Sequence, residues 1–246
     1  MLIDGIVLSD YTAVVAMGIT SDGRKLVMGI RIGSTENAQV CRDLLTELVE
    51  RGLQYNNGIL AIIDGSKALR RALKDVFGQN VLIQRCQVHK MRNILDYLPK
   101  YKQEWVKRKL KKAWAAETAE AAIRSLRNLA NSLQDEHPDA AASLREGLEE
   151  TVTILRLDIP GLLQKSLRST NGIESCFSMV AKNIKNVKNW KNGTMVQRWI
   201  SAALLDAEQR AHRIPGYRSM SVLISEIKRL INVAEIEPIE NESKTA

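Results

Sequence analysis

Cysteine is scarce in this chain: Cys41, Cys86 and Cys176 are the three it has, at wide and uneven spacing. An odd, sparse set excludes a disulfide framework and predicts reduced thiols. Long apolar runs are missing too. No stretch reaches the about 18 apolar residues that a membrane-spanning helix needs. The opening "MLIDGIVLSDYTAVVAMGIT" has neither the basic leader nor the small-residue cleavage site of a signal peptide. A soluble cytoplasmic protein with no membrane contact is the expectation. With 45% hydrophobic and 26% charged residues among 246, the chain has material for one sizeable core, or for one core plus a helical appendage.

Acids are scarce in two segments. The net charge is +8, but Arg85 to Arg127 holds 12 basic residues against 4 acidic, and Lys165 to Arg198 holds 7 against 1. The balancing acids sit between them, where "QDEHPDAAASLREGLEETVTILRLD" has 7 acids and 2 bases, and in the tail "EIEPIENESKTA", which is expected to be disordered. Charge sorted in this way is the footprint of a surface that grips phosphates; ordinary solvated helix faces are the other reading.

The first third reads as strands. "MLIDGIVL", "YTAVVAMGI" and "RKLVMGIRI" are apolar, β-branched runs, with an Asp-Gly hairpin turn in "TSDGRK" between the second and third. "STENAQVCRDLLTELVERGL" opens with Ser/Thr and an acid, carries Val40, Leu44, Leu45 and Leu48 at helical spacing, and stops at Gly52. "GILAIIDG" has the continuous apolar pattern of a central strand, "SKALRRALKDVFG" that of a helix, and "NVLIQR" makes a fifth strand. The order is βββαβαβ, followed by helix from Cys86 to about Asp158 and by three later helices whose apolar faces need the sheet. The helical stretch therefore reads as an insertion in an α/β domain.

Asp4 in "LIDG" and Asp64 in "AIIDG" each end a strand ahead of a glycine. If the two strands are neighbours, both carboxylates emerge at the same end of a sheet. They then form half of a Mg²⁺ site, because Mg²⁺ takes hard oxygen ligands and keeps waters that a phosphate displaces. Taken singly, each also fits local chemistry: Asp-Gly is a turn, and Asp64 is an acid ahead of a helix N-terminus. Glu174 in "STNGIES" likewise fits a capping box with Asn171 as N-cap.

An acid on the first strand, an acid on the fourth and a helix opening with Glu after a helical insertion resemble the layout of ribonuclease H-like nucleases and transposases. In detail the chain resembles the Mutator family of bacterial insertion-sequence transposases. The likeness is carried by "IDG", "AMGITSDGRK", "GSTENA", "IIDGSKALR", "QRCQVHKMRNIL" and "STNGIES", from the first residue to about Arg213. It implies an α/β, ribonuclease H-like mixed sheet with an all-helical insertion before the last catalytic helix: residues 1–85 and 166–233 as the core, 86–165 as the insertion, and 234–246 as the acidic tail. It also implies a DDE triad of Asp4, Asp64 and Glu174 that binds two Mg²⁺ ions, with Mn²⁺ able to substitute. The implied activity is metal-dependent DNA cleavage and strand transfer during transposition. The partners would be transposon ends, target DNA and a second copy of the chain, in a bacterial or archaeal cytoplasm at the nucleoid. His89, Lys90 and Arg92, with Lys182, Lys185 and Lys188 spaced three apart after Glu174, become candidates for holding DNA. Family members usually carry helix-turn-helix elements ahead of the first catalytic strand, and this chain begins three residues before Asp4, so a catalytic domain without its reader is expected. Two other readings stay open. One is a noncatalytic remnant that binds DNA or dimerises and so regulates full-length transposase; the other is a ribonuclease H-like nuclease with no strand-transfer role. The intact acids favour catalysis.

Cys86 and His89 stand three apart at the mouth of a helix. A structural zinc site needs a second ligand pair, and none exists: Cys41 and Cys176 stand alone, and His137 and His212 have no Cys or His within four positions. No zinc is expected. Carboxylate-and-metal phosphoryl transfer also gives a thiol nucleophile nothing to do. Mutator-type transposases carry a Cys or Asp, two residues, then His, at the end of the fifth strand. The likeness thus implies that His89 reaches DNA near the metals while Cys86 packs beneath it. Simple burial of Cys86, with His89 as a polar helix start, is the plainer alternative.

Overall fold

A computed structural model describes residues 1–8, 10–33, 37–187 and 189–236. Strands β1 (Leu2–Leu8), β2 (Tyr11–Ile19) and β3 (Lys25–Gly33) form an antiparallel meander. The β2–β3 turn is the expected Asp22-Gly23, with Gly23 at φ 82°, a conformation that glycine adopts without strain. Helix α1 (Ala38–Glu50) follows, capped by Asn37, whose side chain accepts from the Gln39 and Val40 amides; the expected Ser/Thr start at residues 34–36 lies outside the described residues. Strand β4 (Ile59–Ile63), helix α2 (Lys67–Phe77) and strand β5 (Val81–Arg85) complete a five-stranded mixed sheet in the order β3-β2-β1-β4-β5. The β1–β4 and β4–β5 pairs are parallel.

Alternation along the strands assigns the two faces. Ile3, Val14, Ala16, Ala61 and Ile63 pack against Leu44, Leu45 and Leu48 of α1 and Leu69, Leu73 and Phe77 of α2. Leu2, Val15, Met17, Leu60 and Ile62 point the other way. That second face needs a cover of its own, and the late helices supply it.

Between the two comes the helical stretch: α3 (Gln87–Leu95), α4 (Lys100–Trp114), α5 (Ala119–Leu133) and α6 (Pro138–Arg145). It buries its own apolar cluster, among them Ile94, Val106, Leu110, Leu126, Leu133 and Leu144, which closes at Val152. The chain returns as a 3₁₀ segment, Glu149–Arg156, laid along β5. Thr153 Oγ1 donates to the Ile83 carbonyl at 2.6 Å, and the Gln84 side chain accepts from the Ile154 amide at 2.8 Å and donates to the Thr151 carbonyl at 3.0 Å. An edge strand that would otherwise present bare backbone groups is thereby covered. Ile154, Leu157, Ile159 and Leu163 already belong to the sheet-face core. Helices α7 (Gly161–Leu167), α8 (Asn171–Ile184), α9 (Gly193–Arg210) and α10 (Met220–Ile236) follow. Their buried residues, such as Ile173, Val180, Ile200, Leu204 and Ile227, close the second face.

Three expectations need correction. Asp4 does not end its strand, because β1 runs on to Leu8 by pairing with β2. Of the three lysines expected along the helix after Glu174, Lys182 lies in the last turn of α8 and Lys185 is its C-cap, because the helix ends at Ile184; Lys188 lies outside the described residues. Helix α10 reaches Ile236, past the expected start of the tail at 234, and residues 237–246 are outside the description. Among the described residues, no helix is long and apolar enough to cross a membrane.

Candidate carboxylate site

The parallel register of β1 on β4 pairs Leu2 with Ile62 and Ile3 with Ile63. Asp4 and Asp64 are the next residue on each chain. At that point β4 stops, while β1 continues on β2 alone, so the two acids flank the place where the parallel pair comes apart. Asp4 Oδ1 accepts from the Gly5 amide at 2.8 Å, and Asp64 Oδ1 accepts from the Ser66 amide at 2.9 Å. Gly65 turns the chain away at φ 119°, and a Cβ there would lie 2.4 Å from Arg85 Nε. Arg85 is 5% exposed and is held by the Glu146 carbonyl at 3.0 Å and the Glu146 carboxylate at 3.3 Å.

Two backbone bonds bring the later segments to this place. The Cys86 amide donates to the Ile63 carbonyl at 2.7 Å, fastening the start of α3 to the end of β4, and the Gln87 amide donates to the Arg168 carbonyl at 3.0 Å, fastening it to the approach to α8. Thr170, fully buried, joins the three groups. Its hydroxyl lies 2.9 Å from Glu174 Oε1, 3.3 Å from His89 Nδ1 and 3.4 Å from Cys86 Sγ, and its amide lies 3.4 Å from the same sulfur. A hydroxyl has one proton to give, and the shortest contact assigns it to Glu174. His89 Nε2 is 3.7 Å from Glu174 Oε1.

The expected capping box is therefore not what forms. The N-cap of α8 is Thr170, one residue earlier than Asn171, and Glu174 receives the Thr170 hydroxyl instead of the cap's backbone amide, which is directed at Cys86. Thr170 is the residue that sequence reading missed. Its signal lay in "STNGIES", where a hydroxyl precedes the glutamate by one helical turn.

Electrostatics mark the same spot. Burial first, then the charge of Asp64, push the Asp4 carboxyl up to about 7; Glu174 adds to this, while the Gly5 amide and His89 oppose it. His89 is pushed up to about 9, first by its hydrogen bond with Cys86 and then, against its own burial, by the charges of Cys86, Asp4 and Glu174. Burial raises the Cys86 thiol, but hydrogen bonds from His89 and Thr170 outweigh it and leave the thiol below its ordinary value. Perturbed groups that act on one another in this way mark functional clefts more often than ordinary surface.

The ligand atoms of Cys86, His89 and Glu174 lie within 4.8 Å of one another, the one such trio among the described residues; Asp4 and Asp64 stay outside it. Of the expected DNA-holding cations, Arg92, Lys182 and Lys185 are exposed. Lys90 is not available: it is fully buried, and its ammonium donates to the Ser143 and Glu146 carbonyls inside the insertion. Burial, then the neighbouring charge of Arg85, lowers its pKa to about 7. Its place on the same face of α3 as Gln87 and Ile94 explains the burial.

Fold and site together define a mixed α/β protein with acids, a histidine and a thiol gathered where two parallel strands part. The chain belongs to the Mutator family of transposases, whose family model, described as "Transposase, Mutator family", matches residues 3–213. Among curated proteins it is similar to the transposase for insertion sequence element IST2 of Acidithiobacillus ferrooxidans, with 33% identity over 71% of this chain and 58% of that one. It is also similar to the transposase for insertion sequence element IS256 in transposon Tn4001 of Staphylococcus aureus, at 32% over 78% of this chain and 48% of that one. The transposase for ISRM3 of Rhizobium meliloti matches at 26%, over 82% and 49%. The chain thus spans about half the length of the relatives it matches.

Proposed function

We propose that this chain is the catalytic part of a DDE transposase, which cleaves DNA strands and joins them to new sites as an insertion sequence moves, working as a homodimer on transposon ends and target DNA. The sheet with its flanking acids is read as ribonuclease H-like, formed by residues 1–85 and 166–233, with 86–165 as the helical insertion. What supports the reading is Asp4 and Asp64 standing side by side where β1 and β4 part, with Glu174 near enough to act on Asp4, so that burial first and then the Asp64 charge push the Asp4 carboxyl up to about 7.

That crowding fits a divalent cation. Three hard carboxylates, Asp4 buried beside the charge of Asp64, would suit a pair of Mg²⁺ or Mn²⁺ ions, which take oxygen ligands. When bound, such a pair makes a hydroxyl a better nucleophile and stabilises the departing oxygen. Asp4 and Asp64 would hold the pair, and Glu174 would complete it. Thr170 fixes the Glu174 carboxylate, and His89, held charged by Cys86 and the acids, sets a cation where a phosphate would lie. Arg92, Lys182 and Lys185 would contact the backbone without reading bases. Cys86, His89 and Glu174 also form a donor set that a softer metal would accept. We instead assign the sulfur to its bonds with Thr170 and His89, so that purified protein contains no zinc.

The test is incubation of the full chain with a labelled, pre-cleaved transposon end and Mg²⁺ or Mn²⁺, with joining scored separately from nicking. Joining is expected from the wild type, and its loss with DNA retention intact from Asp4→Asn, Asp64→Asn and Glu174→Gln. Nicking alone would make the protein a nuclease, and binding alone a regulatory remnant. Wild-type joining by any of the three variants would remove that acid from the triad.

A further inference from the structure

The lysine-rich helix α4 contributes nothing to the carboxylate cluster, yet its outer face has a composition of its own. Val106, Leu110, Ala113 and Trp114 turn inward to the insertion core. At roughly 100° per residue, Tyr101, Trp105, Arg108 and Lys112 share the opposite face. Tyr101 is 80% exposed and Trp105 37%. The ammonium groups of Lys102 and Lys109 lie 5.7 and 5.6 Å from the Trp105 ring centroid. Lys102 pairs with Glu136, and Lys107 with Glu104. Among the described residues, no ion pair engages Lys100, Arg108, Lys109, Lys111 or Lys112, all of them exposed. Beside Trp105 a cavity of about 680 Å³ opens between α4 and α5, bordered by Lys109, Lys112 and one acid, Glu117, with Leu129 and Asn128 across from them.

We propose that this face is a docking surface for a single nucleic-acid strand, with an unpaired base stacked on Trp105 in the cavity and phosphates on Arg108, Lys109 and Lys112. Each half of the surface calls for one half of a nucleotide. Cations without acid partners need anions, and an exposed indole beside a cavity with an apolar floor and an amide on its wall suits a planar, polar-edged ring. The strand is single because a base inside a duplex has no free face to offer. Stacking on tryptophan is stronger than a lysine–indole contact, so Lys109 gives up the ring and turns to phosphate, while Lys102 stays with Glu136. An anionic membrane would also attract the lysines, but a membrane-binding helix offers an apolar face to lipid, and that of α4 is turned into the protein. The inference rests on the reading of this chain as a DNA-processing protein, and its test omits metal so that a failed catalytic assignment leaves it standing.

Binding of a labelled oligothymidylate and of a hairpin duplex of equal length to the full chain is compared by fluorescence anisotropy in EDTA across a salt series. The oligothymidylate is expected to bind more tightly. Trp105→Ala should weaken it about tenfold while leaving the duplex nearly unchanged, and Trp105→Phe should keep most of the affinity. Tyr101→Ala, at a ring too exposed for its loss to endanger the fold, should weaken the oligothymidylate selectively as well. Lys109→Ala and Lys112→Ala should each lower the slope of log affinity against log salt by about 0.7. Equal weakening of both DNAs by Trp105→Ala and Tyr101→Ala, or no weakening of either, would overturn the proposal. So would a Trp105→Ala protein that loses binding to phosphatidylserine vesicles while its oligothymidylate binding stays intact.

Discussion

Asp4 is 9% exposed and shares its surroundings with two other acids. With its pKa raised from 3.8 to about 7, the folded state holds this proton more tightly than the unfolded chain does. The resulting stability is fully present below the unfolded value and is lost as pH rises through about 7. Removing the charge should therefore stabilise the metal-free protein at pH 8, on the order of 4 kcal/mol for the full shift. Asp4→Asn should melt several degrees above wild type at pH 8 in EDTA, with the gap closing towards pH 4, as followed by circular dichroism. An Asp4→Asn protein that melts lower at pH 8 would mean that burial and the Asp64 charge do not hold the Asp4 carboxyl raised. His89 and Cys86, adjacent in space, should differ sharply. His89 is partly exposed, but its cation is held by Cys86, Asp4 and Glu174, so His89→Ala should lower the melting temperature at neutral pH without unfolding the protein and cut joining severely. Cys86 is fully buried and accepts from Thr170, so Cys86→Ser should cost about 1–2 kcal/mol and affect joining mainly through stability. Zinc in stoichiometric amount, measured by elemental analysis, would sink this division of roles.

The elements that hold these residues were legible to different depths. The Asp22-Gly23 hairpin, the alternating strands and the amphipathic helices follow from local chemistry, and the structure has them. The neighbourhood of Asp4 and Asp64 does not follow from spacing, since the placement of β1 beside β4 is a tertiary choice; only the family likeness suggested it. Asp4 lies inside a strand because pairing with β2 outlasts pairing with β4, which the glycine after it gave no reason to expect. Thr170 and Lys90 were missed for one reason: each is bonded to groups far away in sequence, the Thr170 amide to Cys86 and the Lys90 ammonium to the Ser143 and Glu146 carbonyls. The Asp64 turn shows how tightly these elements are fitted. Gly65→Ala would place a Cβ at a positive φ and against the guanidinium of buried Arg85. The expected cost is about 2–3 kcal/mol, read by urea unfolding, with reduced joining because Asp64 moves with the turn. Unchanged stability and joining would show that the turn has slack.

On the scale of the whole molecule, two cores are joined at one edge. The sheet is covered on both faces, the insertion packs on itself, and the 3₁₀ return along β5 closes the seam beside the acids. Exposed cations recur on α4, α8 and the loop after α8, while the acids that balance them cluster around the insertion's return. Such a surface suits backbone phosphates, and on the proposed function the full chain should bind DNA with a steep salt dependence and little preference for transposon ends. Tight, end-specific binding at physiological salt would show that the chain reads bases. The assignment of Asp4, Asp64 and Glu174 to a two-ion site is tested most directly by counting Mn²⁺ bound to the protein with a pre-cleaved DNA end, by electron paramagnetic resonance. Two ions per chain are expected in the wild type and at most one in Asp64→Asn. An unchanged count in that variant, or ions retained by it and lost on Cys86→Ser, would place the metal at the thiol and imidazole and contradict the carboxylate site.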